Sequence, residues 1–227
     1  MNMAITKTTF TSTDATDSLQ DLLTWLQANA DDLFDGITLD SESSTLTCTV
    51  NGHKAVTFEK ATNADAILTR IWLNNAASNP NYGSVAVVAR DAYKTSKGIA
   101  IRFCSPSQPN SYYLISWLYV FRTNEGTIGA CHCRPVSNSS GSLYCTFVDF
   151  ERCLNFMNSF SSSRAYLINQ AALTALTPVP LGDAGTVAEG LYITTFTELY
   201  DTVQWYNAII DIGGTKYVYN GVIAFQE

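Results

Sequence analysis

Three features of this sequence predict an α+β fold that is predominantly antiparallel β, a sandwich or barrel-like meander, with an amphipathic helix near the N-terminus and room for one or two further short helices. The first is a leucine stripe: Leu19, Leu22, Leu23, Leu26, Ala30 and Leu33 recur at the three-and-four spacing of one helical face. The second is a series of alternating apolar and polar runs joined by turn dipeptides, among them Asn51-Gly52, Gly213-Gly214 and Asn220-Gly221. The third is composition. Only 15% of the residues are charged, well under the usual quarter, and Asn, Ser and Thr carry much of the polarity, which suits strands and turns.

In chain order, the stripe predicts a helix from about Thr16 to Phe34, with Thr16 or Asp17 as its cap and Gly36 as its stop. Asp31, Asp32 and Asp35 fall at its C-terminal end, where negative charge opposes the helix dipole. A cation or the basic surface of a partner could offset them, or they form a solvated, slightly costly face. Leu46 to Val50, Asn51-Gly52 and Lys54 to Phe58 read as a hairpin. Asn63 to Asn75 supports two readings, a helix capped by Asn63 or a strand alternating through Ile67, Thr69, Ile71 and Leu73. Ala76 to Gly83 reads as a loop.

Strands are then expected over Ser84 to Ala89, Gly98 to Cys104, Tyr112 to Arg122, Thr127 to Cys133 and Leu143 to Val148. The Tyr112 to Phe121 run is apolar on both faces, as a strand at the centre of a two-layer structure or in a subunit interface would be. Phe150, Cys153, Leu154 and Met157 make a stripe that predicts a second helix over Asp149 to Phe160. Tyr166 to Leu181 reads as extended, with Pro178 and Pro180 confining its end to a sheet edge or a connector. The closing meander is Leu191 to Phe196, Val203 to Ile212, Thr215 to Tyr219 and Val222 to Phe225. A single domain spanning 1–227 is expected, with the likeliest breaks at Ser137 to Ser142 and Gly182 to Gly190.

The totals narrow the function. A net charge of −7 with 13 basic residues offers no clustered Lys/Arg footprint for nucleic acid. The N-terminus lacks a basic start followed by an apolar core, and no apolar run reaches membrane-span length, so no membrane partner and folding in a cytoplasm are expected. There, Cys48, Cys104, Cys131, Cys133, Cys145 and Cys153 are expected as thiols packed as small hydrophobes. Cys131-His132-Cys133 lacks the paired C-x-x-C spacing of structural zinc sites; in a strand its two cysteines share one face and His132 takes the other.

Catalytic signals are sparse. Two histidines, His53 and His132, are the residues most suited to proton transfer near neutral pH. Cys104/His132 or Cys145/His132 would be the dyads of a small cysteine hydrolase, and Glu125, Asp149, Glu151 and Glu189 the acids of a glycosidase. No nucleophile elbow, P-loop or dinucleotide-binding turn is present, and neither a catalytic set, a metal site nor a cofactor is expected. The aromatics of the strands are the remaining candidates. Tyr113, Trp117, Tyr119, Phe121, Trp205, Tyr206, Tyr217 and Tyr219 could form an interface or a ledge on which a carbohydrate stacks.

The ending Gly213-Gly214-Thr215-Lys216-Tyr217-Val218-Tyr219-Asn220-Gly221-Val222-Ile223-Ala224-Phe225 resembles the ends of small virion structural proteins in phages and prophages of gut bacteria. Those close on a G-G-x-x-Y-x-x-N-G hairpin and a last short strand. Gly98 to Ile128 is similar in style, so the likeness covers about a quarter of the chain. Tyr219 departs from the smaller residue expected there. The resemblance implies a non-enzymatic head, neck, tail or decoration component, assembled in a bacterial cytoplasm, whose partners are copies of itself and other virion proteins. A glycan- or host-surface-binding β module is the alternative, and a small hydrolase the second.

Overall fold

The structure, a computed structural model, describes residues 5–73, 76–77, 87–107, 116–135, 143–152, 154–160, 173–180, 186–196, 209–219 and 223–227. Strand β1 (Thr6–Thr9) leads into helix α1 (Ala15–Asn29). Then come β2 (Gly36–Asp40), β3 (Thr45–Val50), β4 (His53–Lys60), β5 (Ile67–Leu73) and β6 (Ala76–Ala77). The middle of the chain contributes β7 (Val88–Thr95), β8 (Gly98–Cys104), β9 (Ser116–Arg122), β10 (Ile128–Pro135), β11 (Leu143–Asp149) and β12 (Leu154–Phe160). The last part supplies β13 (Leu173–Pro180), β14 (Val187–Phe196), β15 (Ile209–Ile212), β16 (Thr215–Tyr219) and β17 (Ile223–Gln226).

These strands form three antiparallel sheets. A seven-stranded central sheet runs β1-β7-β8-β9-β10-β11-β12, an N-terminal sheet runs β2-β3-β4-β5-β6, and a C-terminal sheet runs β13-β14-β17-β16-β15. Side chains alternate across the central sheet. One face joins α1 and the N-terminal sheet in a first core built from Leu19, Leu22, Leu26, Leu46, Phe58, Ile101, Phe103, Leu118 and Val120, among others. The other face meets the C-terminal sheet in a second core containing Tyr93, Trp117, Tyr119, Phe121, Phe147, Leu191, Val218 and Phe225. The both-faces-apolar strand β9 is therefore the middle of three layers, and its apolarity is consumed inside the chain.

Most local expectations hold. The Asn51-Gly52 and Gly213-Gly214 turns have positive φ at both residues, the backbone of a type I′ hairpin. Strands β8 and β16 have the predicted bounds, Asn124 to Gly126 forms a turn, and the strand reading wins over Ile67 to Leu73. The edge position of Pro178 and Pro180 is also found, because β13 flanks the C-terminal sheet on one side.

Other expectations need correction. Helix α1 is capped by Asp14, whose carboxylate accepts from the Asp17 amide, and it stops at Asn29. The Asn29 amide binds the Trp25 carbonyl there, and the acidic pair beyond is unfavourable at a helix C-terminus. Leu33 and Phe34 reach the core from a turn on the Ala30 carbonyl instead. The helix expected over Asp149 to Phe160 is a hairpin. The Asp149 carboxylate takes the Glu151 and Arg152 amides, an Asx turn that competes with helix, and β12 then pairs with β11. The N-terminal Thr-rich stretch forms β1, Gly36 opens β2, Ala76–Ala77 is a strand within the expected loop, and the Val-rich strand continues through Arg90-Asp91 to Thr95 as β7. Residues 78–86, 111–115, 137–142, 166–172 and 203–208, which carry other readings, lie outside the described residues. So do residues 182–185 of the expected break at Gly182 to Gly190. Its end is fastened to the central sheet, with Thr186 buried and bonded to Glu125 and Arg152. No helix among the described residues is long and apolar enough to cross a membrane.

Candidate functional site

Three thiols meet in the second core. Strand alternation puts Cys131 and Cys133 on the face of β10 turned toward the C-terminal sheet, and the β10–β11 register sets Cys145 directly opposite Cys133. The Cys131 and Cys133 sulfurs are 3.5 Å apart, and all three Sγ atoms lie within 4.8 Å of one another. Among the described residues this is the one group of three or more metal-ligating side chains with ligand spacing. All three cysteines are buried. Burial pushes the Cys131 and Cys145 thiols well above the ordinary thiol range, so both are protonated at neutral pH. Beside them stands Tyr119, fully buried, its hydroxyl without a hydrogen-bond partner among the described residues. Burial raises this phenol well above its usual value, and charge on any of the three thiols would raise it further.

Sequence spacing missed this cluster because its third member comes from another strand. The shared face of Cys131 and Cys133 was readable from alternation; the approach of Cys145 depends on the register of a hairpin whose loop is long and Ser-rich. Neither cysteine–histidine dyad forms. Cys104 and Cys145 belong to the second core, whereas His132, between Cys131 and Cys133 on β10, points through the opposite face.

A second polar group sits in the same layer. Asp91 is buried on β7 and contacts Arg102 of β8, also buried, together with Lys7 Nζ at 3.1 Å and Thr9 Oγ1 at 2.8 Å from β1. The Arg102 Nε and Nη1 atoms and the Tyr93 hydroxyl have no hydrogen-bond partner among the described residues. Lys7 Nζ also lies 5.7 Å from the centre of the Tyr93 ring. Breaking such a pair on one side is costly, since it leaves a charge out of water.

The acidic cluster lines an open hollow of about 210 Å³ with Arg122, Ile128 and Glu151. Its charge is offset from within: Lys94 Nζ is 2.7 Å from Asp32, and Arg122 donates to the Asp32 carbonyl. Asp35 accepts from the Thr49 hydroxyl at 2.5 Å and the Gly52 amide at 2.7 Å, tying the end of the helical segment to the β3–β4 turn. The Thr49 bond, then the amide, holds its carboxyl below the usual aspartate range. The loop acids likewise have local partners. Glu125 binds Arg152 and Thr186, Asp149 accepts from the Thr127 hydroxyl, Glu151 takes the Ile128 amide, and Glu189 pairs with Lys97.

Among the expected interface or ledge residues, Trp117, Tyr119 and Phe121 project into the second core, with Tyr93, Trp117 and Tyr119 stacked in a row at 5.8–6.0 Å. Tyr217 and Tyr219 share a face of β16 as expected and leave Val218 to the second core; both rings are buried. Tyr113, Trp205 and Tyr206 lie outside the described residues. No model of a known protein family, no curated protein and no solved structure matches this chain.

Proposed function

We propose that this chain is a non-enzymatic structural component of a phage or prophage particle, of head, neck, tail or decoration type, working by self-association. The observation that carries the reading is the contrast between the two edges of the C-terminal sheet. Strand β13 is blunted by Pro178 and Pro180, which cannot donate to a ladder. Strand β15 contains no proline, carries a single charge at Asp211, and among the described residues is paired on one side only, with β16. Its Ile209 is 42% exposed and is the one exposed large hydrophobic residue among those described. An edge strand with free ladder groups and an exposed apolar side chain is a template for strand addition, and a second copy of the chain is the partner proposed for it. The carboxy-terminal resemblance supplies the viral setting, and its two-turn motif opens on Gly213-Gly214, the turn between β15 and β16. The carbohydrate-ledge alternative needs an exposed ring, and the described candidates are buried.

Light scattering across a concentration series tests this reading. A discrete oligomer or growing polymer, reduced to monomer by Ile209→Lys, is expected, with rings or tubes in negative-stain micrographs. A monomer at every concentration, or an oligomer indifferent to Ile209→Lys, would overturn the edge-pairing mechanism.

A further inference from the structure

We infer that the Cys131–Cys133–Cys145 cluster is a binding site for a soft, thiophilic metal ion, with monovalent copper the class it fits best. The donor set is all sulfur, which selects soft ions over the hard ones that prefer oxygen. Metal–sulfur bonds of about 2.3 Å place sulfurs about 4 Å apart around one ion. The present spacings, 3.5 Å for one pair and within 4.8 Å for all, bracket that value, so the three sulfurs need only small shifts.

Coordination number favours copper(I) over zinc. A structural zinc site takes four protein ligands, and among the described residues no imidazole or carboxylate joins this group of ligands. Three sulfurs satisfy copper(I). On binding, the S–H bond of each ligating thiol breaks as its Cu–S bond forms and the proton leaves to solvent, because the thiolate is the ligating form of cysteine. Nothing changes oxidation state.

Tyr119 is the independent observation. A fully buried hydroxyl with no partner among the described residues is a cost in the metal-free protein. Tyr119 faces Cys131 across the β9–β10 ladder, its hydroxyl beyond hydrogen-bond reach of the sulfurs in this structure. A thiolate formed on binding becomes its acceptor after a shift of the ring or the cluster, and hydrogen bonds of this kind around metal ligands tune affinity. Because the cluster is sealed from solvent, loading is expected chiefly during folding.

The test is to supply copper(I) under argon both to native protein and during refolding, desalt, and measure copper per chain with the near-ultraviolet sulfur-to-copper absorption. One copper per chain is expected. Cys145→Ala should abolish it, and Cys48→Ala, in the first core, should retain it. Tyr119→Phe removes only the orphan hydroxyl, so it tests the site even where Cys145→Ala fails to fold, and it should weaken copper about tenfold in a chelator competition. No retained copper under either loading condition, equal copper in a folded Cys145→Ala variant, or unchanged affinity in Tyr119→Phe would overturn the proposal.

Discussion

One face of the central sheet is packed almost wholly by leucine, isoleucine, valine, alanine and phenylalanine from α1 and the N-terminal sheet. The other carries stacked aromatic rings, three clustered thiols and the buried Asp91–Arg102 pair beneath the C-terminal sheet. Both faces are equally dry, yet they do different physical work. The first is held by nondirectional burial, which tolerates many apolar sequences of the right volume. The second contains groups that stabilise only in particular geometries and penalise the fold when left unmatched. Special chemistry in this chain is therefore to be sought in the second core.

The sharpest way to break this contrast is Arg102→Met. It removes the buried partner of the Asp91 carboxylate and leaves it only Lys7 and Thr9. A loss of about 3 kcal/mol in urea-unfolding free energy is expected, the low end for buried pairs broken on one side. Adding Asp91→Leu should recover most of it, showing that matching rather than charge is what the second core requires. In the first core, Leu22→Ala should cost about 3 kcal/mol, the usual price of a large-to-small cavity. There, Leu22→Met should restore most of the stability, because volume suffices. The smallest effect belongs to the rim of the first core. Asp35 has a lowered folded-state pKa, so its contribution is complete above the ordinary aspartate value of 3.8 and is lost as pH falls through the folded value. Asp35→Asn should flatten the acid limb of a stability–pH profile and leave Leu22→Ala and Arg102→Met additive with it.

The two halves of this comparison were unequally legible. The first core follows from local pattern: the leucine stripe of α1, the alternation of β3 and β8 and the Asn51-Gly52 turn each state their own structure. The second core depends on register. Cys145 meets Cys133, and Lys7 and Thr9 meet Asp91, only because particular strands align, and nothing within either segment announces its partner. Charge also concealed β7, whose Arg90-Asp91 pair interrupts an apolar run. The helix expected over Asp149 to Phe160 failed for a related reason. Its stripe satisfies helical spacing, but the Asp149 turn and the waiting edge of β11 decide the outcome. The acidic residues at the end of α1 had two readings, and the compensating cations, Lys94 and Arg122, come from β7 and β9 of the central sheet.

Strand β1 adds a matter of timing. Its Thr9 hydroxyl reaches a carboxylate 82 positions further along the chain, so during synthesis the first strand must wait until β7 has left the ribosome. The successive hairpins of β2 through β5 close by short loops and can form meanwhile, since local pairing is fast and distant closure is slow. The N-terminus is thus made first and docked late. Until it docks, Asp91 lacks two of its partners, and any handling that delays the first dozen residues, such as a bulky N-terminal fusion, would prolong the interval in which the edge of the central sheet stands open.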